Sequence, residues 1–149
     1  MNLIVLRGLP GSGKTHFTEN ITNSKVIISN DNNRIIDGKY KYQIELNNKI
    51  YQENFTLLNN SMKNKESLII IDNCNLNLEL LNMYKSLAEK YDYKYYQIYF
   101  DKPSLTNLYR SFELCQNNIS FSSYKNLWKN YYKHNLDINI KDFNINLLK

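Results

Sequence analysis

Four short apolar runs punctuate a mostly polar chain: Leu3-Ile4-Val5-Leu6, Val26-Ile27-Ile28, Leu68-Ile69-Ile70-Ile71 and the stretch from Tyr95 to Phe100. Each reads as a buried strand. Between them the apolar positions take helical spacing. The segment from Thr15 to Ile21 reads as a helix. So does Gln43 to Met62, through Ile44, Tyr51, Phe55, Leu58 and Met62. Asn77 to Tyr91 follows, with Leu80, Tyr84, Leu87 and Tyr91 on one stripe. Pro103 and Ser104 form a helix start, ahead of Leu105, Leu108, Tyr109 and Phe112. A last helix is predicted from Phe121 to about His134, holding Tyr124, Leu127, Trp128 and Tyr131. Residues 37–42 read as a loop. Residues 137–149 alternate only weakly, through Ile138, Ile140, Phe143 and Ile145, as a short strand or a loose tail.

Strands alternating with helices predict an α/β fold: a parallel sheet of four to five strands with helices on both faces. Such sheets bind ligands at the C-terminal ends of their strands. Asp31, Asp72 and Asp101 all follow apolar strands at that end. The 149 residues suit one domain, with no internal repeat and no linker.

Composition changes this picture little. No window approaches 18 unbroken apolar residues, so no membrane span is expected, and the chain opens directly into a strand rather than a leader. Cys74 and Cys115 lack metal-ligand spacing and read as reduced thiols, which points to a cytoplasmic setting. The net charge of +5 favours an anionic partner, but only weakly. Lys, Asn, Ile and Tyr are abundant, as AT-rich codons would make them. That bias makes the three arginines, Arg7, Arg34 and Arg110, the more informative.

The decisive pattern is Gly8-Leu9-Pro10-Gly11-Ser12-Gly13-Lys14-Thr15. It fills every fixed position of the phosphate-binding loop, Gly-x-x-x-x-Gly-Lys-Ser/Thr. The glycines let backbone N–H groups turn inward onto phosphate oxygens. Residues 9–15 would cradle ATP. Lys14 would meet the β- and γ-phosphates, and Thr15 would offer its hydroxyl to Mg²⁺. Strand, loop and helix follow in the required order, and the helix dipole adds to anion binding.

Two further sites follow. Asp72 closes the run Leu68–Ile71 and would help orient Mg²⁺; alternatively it caps the helix at Asn77 or forms a turn with Asn73 and Asn75. Asp31 and Arg34 lie three apart, so a helical turn puts them on one face. There Asp31 would accept the proton of an attacking hydroxyl and Arg34 would hold an acceptor phosphate. The plainer alternative is a helix N-cap paired to a surface arginine.

The phosphate loop, the block Ser29-Asn30-Asp31-Asn32-Asn33-Arg34, the block Ile71-Asp72-Asn73-Cys74-Asn75-Leu76 and Tyr99-Phe100-Asp101 resemble the kinase domain of phage-type polynucleotide 5′-kinases and related small AAA-type ATPases. The resemblance covers about residues 1–134. In the family a Thr usually stands where this chain has Cys74. The resemblance implies a P-loop NTPase-type sheet with a helical lid, here roughly residues 104–120. It implies transfer of the γ-phosphate of ATP to a 5′-hydroxyl of DNA or RNA, with a part in nucleic acid repair. Asp31 would be the general base and Arg34 the clamp on the acceptor phosphate. The family's lid carries two arginines four residues apart that stabilise the transferring phosphoryl group. Arg110 matches the first and would both touch ATP and serve catalysis. Leu114 stands in the place of the second, after Glu113; Lys102 or Lys125 would have to substitute.

Weaker signals remain. Lys125, Lys129 and Lys133 repeat every four residues beside Tyr124, Trp128, Tyr131 and Tyr132. That suits a solvated lysine face over core aromatics, and less readily a surface for single-stranded nucleic acid. Lys39, Tyr40, Lys41 and Tyr42 follow the Asp31 block, either as a loop face or as the lining of an acceptor channel. His16 reads as structural and His134 as a surface residue. Two rival functions stay open: a small-molecule or nucleoside kinase, and an ATP-binding switch that has lost transfer with the second lid arginine. With no phosphatase or ligase segment in these residues, end healing would call on such partners on other chains.

Overall fold

The computed structural model describes residues 1–115, 119–131, 138–139 and 141. In chain order they form β1 (Asn2–Arg7), α1 (Lys14–Glu19), β2 (Val26–Ile28), β3 (Ile35–Ile36), β4 (Lys39–Tyr40), α2 (Asn47–Lys63), β5 (Leu68–Asp72), α3 (Leu78–Lys90), β6 (Lys94–Tyr99), α4 (Leu108–Glu113), α5 (Phe121–Lys129) and β7 (Ile138–Asn139). Five strands make one parallel sheet in the order β2-β5-β1-β6-β7. The predicted parallel sheet is therefore present. Its tail strand is described over Ile138–Asn139; residues 137, 140 and 142–149 lie outside the described residues.

β1 sits at the centre, flanked by β5 and β6, and Leu3 to Arg7 are buried. Strand alternation sorts its side chains. Leu3 and Val5 join Leu58, Met62, Leu81, Tyr84 and Ala88, so α2 and α3 cover one face. Ile4 and Leu6 join Ile21 and partly buried Phe17, so α1 and the turn after it cover the other. Because β1 has a later strand on each side, a crevice opens at its C-terminal end. The phosphate-binding loop occupies that end.

Three elements depart from the sequence pattern. Residues 37–42 are not simply a loop: β3 and β4 pair as a two-residue hairpin, Ile35 opposite Tyr40 and Ile36 opposite Lys39. Asp37 and Gly38 both take positive φ, 54° and 72°, as an Asp-Gly type I′ turn requires. α2 begins at Asn47 after a 3₁₀ turn at Ile44–Leu46, and its buried stripe is Ile50, Asn54, Leu58, Ser61 and Met62. Ile44, Tyr51 and Phe55 are exposed instead. The two predicted helices on the lid side are both present, but α4 begins only at Leu108, after a 3₁₀ turn at Leu105–Asn107, and α5 is described over Phe121–Lys129; residues 116–118 and 132–137 lie outside the described residues. Among the described residues no helix is long and apolar enough to cross a membrane.

Candidate active site

The phosphate side is built from backbone. Arg7, buried at the end of β1, donates Nε to the Asn75 carbonyl at 3.2 Å and Nη1 to Gln97 Oε1 at 3.4 Å. Asn75 in turn donates Nδ2 to the Leu6 carbonyl at 2.6 Å. These bonds tie the ends of β1, β5 and β6 together beneath the loop. Gly8 N–H donates to the Cys74 carbonyl at 3.2 Å, which fixes where the loop starts. Gly11 turns at φ 76°, and a Cβ there would lie 2.9 Å from the Ser111 carbonyl oxygen at the lid. Glycine is needed both for the turn and for that approach.

Lys14 is buried and folds over its own loop, donating Nζ to the carbonyls of Leu9 at 2.8 Å and Gly8 at 3.1 Å. The next residue, Thr15, donates Oγ1 to Asp72 Oδ2 at 3.1 Å. Burial pushes the Asp72 carboxyl above its ordinary range. Lys14 and the Thr15 bond pull it back, while Asp31 and Glu19 push it further up. A divalent cation between Thr15 and Asp72 would relieve that crowding of carboxylates. Among the described residues no three His, Cys, Asp or Glu side chains gather as a metal cage. The Thr15–Asp72 pair fits instead an ion such as Mg²⁺, which keeps water and takes phosphate oxygens. α3 is capped by Asn77, whose Oδ1 accepts from Glu79 and Leu80 N–H, so Asp72 is not its cap.

The opposite wall is built from side chains. Asp31, Arg34, Tyr40, Tyr42 and Tyr51 share one cleft of about 860 Å³ with Lys14, Thr15 and Asp72. Asp31 is exposed at the start of a 3₁₀ turn, Asn32–Arg34, and makes no side-chain cap there. The Tyr40 hydroxyl donates to Asp31 Oδ1 at 3.1 Å. Burial and the neighbouring Asp31 charge both push the Tyr40 phenol up, which keeps it a donor. Arg34 is buried rather than a surface partner. Its Nη2 donates to Asn47 Oδ1, and its guanidinium stacks 4.6 Å from the Tyr42 ring centroid. Its Nη1 is buried with no hydrogen-bond partner. A buried cationic donor without an acceptor is costly, and an anion in the cleft would complete it.

A chain of amides holds this wall in place. Asn33 donates to Asn54, Asn54 donates to Asn30 Oδ1, and Asn30 N–H donates to Asn73 Oδ1, over 3.1, 2.8 and 2.8 Å. It runs from the Asp31 turn through α2 to the residue after Asp72. Of the channel lining offered for residues 39–42, Tyr40 and Tyr42 do face the cleft; Asn47 and Asn54 escaped the sequence reading. Only the Asp-Gly turn signalled that Tyr40 returns beside Arg34.

Not every predicted site residue converges. Leu9, Pro10, Gly11, Ser12, Gly13, Lys14, Thr15, Asp31, Arg34 and Asp72 form the loop and the two walls. Arg110 is exposed on α4 and is not among the described residues lining the cleft; Leu114 is. Lys102 lies 4.1 Å from the Trp128 ring centroid, engaged with the lid. Asp101 pairs with Lys141 at 3.2 Å, away from the cleft. Lys39 and Lys41 are exposed and off the cleft wall, because extended chain turns alternate side chains away from Tyr40 and Tyr42. Tyr124 and Tyr131 are buried, so the lid aromatics are core beneath solvated Lys125 and Lys129. Lys133, Tyr132 and His134 lie outside the described residues.

Residues 3–110 match the AAA domain family, most of the chain. The chain belongs to that family. The family match spans β1 to α4 and stops before α5, so both cleft walls lie inside it. Human NEDD4-binding protein 2 is 32% identical over 120 residues; the match covers 78% of this chain but only 7% of that protein's length. Among solved structures, Chaetomium thermophilum Kti12 in complex with ADP-AlF3 aligns with TM-score 0.61 and 15% identity, over 91% of this chain and 87% of that one. A gluconokinase from Sinorhizobium meliloti aligns with 0.59 and 11%, over 99% and 86%. The APS kinase of Mycobacterium tuberculosis, a Cys556Ala mutant, aligns with 0.53 and 14%, over 98% and 90%. At these identities the likeness is one of fold: this AAA domain has a kinase-like P-loop fold.

Proposed function

We propose that this AAA-domain protein is an ATP-dependent kinase whose acceptor is the 5′-hydroxyl end of a polynucleotide. The observation that carries this reading is Arg34: a buried guanidinium with an unmatched Nη1, on the same wall as Asp31 and across from the phosphate loop. A neutral metabolite would offer that donor only an uncharged acceptor, whereas the phosphate that follows a 5′-terminal nucleoside would match its charge as well. The ADP-AlF3 held by Kti12 supports nucleotide binding on this fold.

Mg²⁺·ATP supplies the phosphoryl group and its charge neutralisation. Residues 8–15 bind the phosphates through backbone N–H groups, and Lys14 swings its Nζ from loop carbonyls to phosphate oxygens. Thr15 and Asp72 hold the metal. Asp31, steadied by Tyr40, orients the acceptor hydroxyl and takes its proton, which needs hydrogen-bond reach rather than an unusual pKa. Positioning and electrostatics then carry most of the rate.

Incubation with γ-labelled ATP, Mg²⁺ and 5′-hydroxyl DNA and RNA oligonucleotides tests this, with Asp31→Ala as control. Label at the oligonucleotide end, lost in the control, is the expected result. Label on a small metabolite instead would overturn the acceptor assignment. A second reading, an ATP-binding switch without transfer, is favoured by Leu114 standing in the cleft while Arg110 stands outside it. It predicts ATP binding with no labelled acceptor of any kind.

A further inference from the structure

Two tyrosines stand half open to solvent in the cleft. Tyr42 and Tyr51 are 54% and 51% exposed, yet both line the cleft beside Arg34. Tyr42 covers the Arg34 guanidinium with one face of its ring. Tyr51 lies one helical turn beyond Asn47, the residue that accepts from Arg34, so it stands on the same face of α2. A recess of about 40 Å³ opens beside Tyr51 over Phe55, Met83 and Tyr84, and it shares Asn30, Asn73 and Leu80 with the cleft. The unmatched Nη1, an anion-seeking group, and an open aromatic wall are thus neighbours on one surface.

We propose that Tyr42 and Tyr51 form a stacking site for the nucleobase next to the phosphate that Arg34 binds. This rests on the polynucleotide reading above and narrows it: the acceptor end is single-stranded, base-bearing and read without sequence preference. Stacking on tyrosine tolerates any base, since every base has a π-face. Tyr51 is the residue to test, because the bond and the stack that hold Arg34 come from Asn47 and Tyr42.

The experiment measures equilibrium binding of a dye-labelled, single-stranded 5′-hydroxyl oligothymidylate by anisotropy, without ATP. It compares this ligand with the same oligonucleotide made abasic at its first nucleotide. Wild type is expected to prefer the base-bearing end about 5- to 100-fold, the range of one stacked base. Tyr51→Leu should bring the two ligands within about twofold, while Tyr51→Trp restores the preference. Equal binding of both ligands by wild type would overturn the stacking site, as would a preference untouched by Tyr51→Leu. Labelled phosphate transfer to the same two ligands separates the two proposals. Transfer without base preference keeps the kinase and removes the stacking site. Base preference without transfer keeps the stacking site and removes the kinase.

Discussion

The two walls of the cleft are made differently. The phosphate wall is backbone: a loop drawn tight by Gly11 and Gly13, anchored on buried β1 and tied to β5 and β6 through Arg7 and Asn75. The acceptor wall is side chain: Asp31, Arg34, Tyr40 and Tyr42 on a short turn, its hairpin and the residues just after it, with Tyr51 from α2, held by a line of asparagine amides. Backbone can recognise only what every nucleoside triphosphate shares. Side chains can be exchanged one at a time, so on the proposed reading the second wall is where substrate choice would reside.

Mutations should separate the walls. The largest effect falls on the acceptor wall: Asp31→Ala should lower kcat by about 10²–10⁴, the usual worth of a positioned general base, with ATP affinity retained. Lys14→Ala should lower kcat by about 10²–10³ and weaken ATP binding as well. An Asp31→Ala enzyme with full turnover would remove the base assignment. Isothermal titration with a non-hydrolysable ATP analogue checks the affinity half of both statements.

Gly11→Ala strikes the phosphate wall through its backbone. Its positive φ and the Ser111 carbonyl 2.9 Å from the new Cβ should cost about 1–3 kcal/mol of stability, read by urea unfolding. Tyr40→Phe is milder. Losing the donor to Asp31 should lower kcat about tenfold with KM little changed, at the low end of what a bond to a charged group contributes.

The smallest effect is at the lid. Tyr124→Phe removes a bond from the hydroxyl to the Pro10 carbonyl and should cost about 1 kcal/mol. Burial pushes the Tyr124 phenol from an ordinary 10 up to about 12. The fold favours the protonated phenol, so this contribution is whole below pH 10 and is lost as pH rises toward 12. The stability gap between wild type and variant should therefore close across that window.

The same division governs what could be read from the sequence. The phosphate wall was legible because its parts are local: a strand, a glycine-rich turn and a helix in one stretch, then an acid closing an apolar run. The parallel sheet followed from the same runs. The acceptor wall was legible at Asp31 and Arg34, and at Tyr40 and Tyr42 only as one of two readings of a loop. Tyr40 needed the Asp-Gly hairpin, whose two-residue strands are too short to show periodicity. Asn47 and Asn54 act across α2 from residues 13 and 21 positions away, which no local pattern encodes. The exposed Tyr51 defeated a helical stripe that counted it as core, because aromatic rings serve cores and clefts alike. Arg110 was placed by likeness to a lid, and lid geometry depends on how short helices dock.

The placement of β1 has a consequence for synthesis. Asn2 pairs with Leu68 and with Lys94, so β1 is made well before both of the strands that enclose it. On a ribosome the phosphate loop emerges early, but Gly8 has no Cys74 carbonyl to bind until β5 is out. Phe100 N–H closes onto the Arg7 carbonyl later still. At cellular elongation rates the sticky run Leu3–Leu6 waits on the order of ten seconds for its neighbours. Nascent chains should therefore engage chaperones once β1 has emerged, and slow codons before β6 should lower the yield of folded protein.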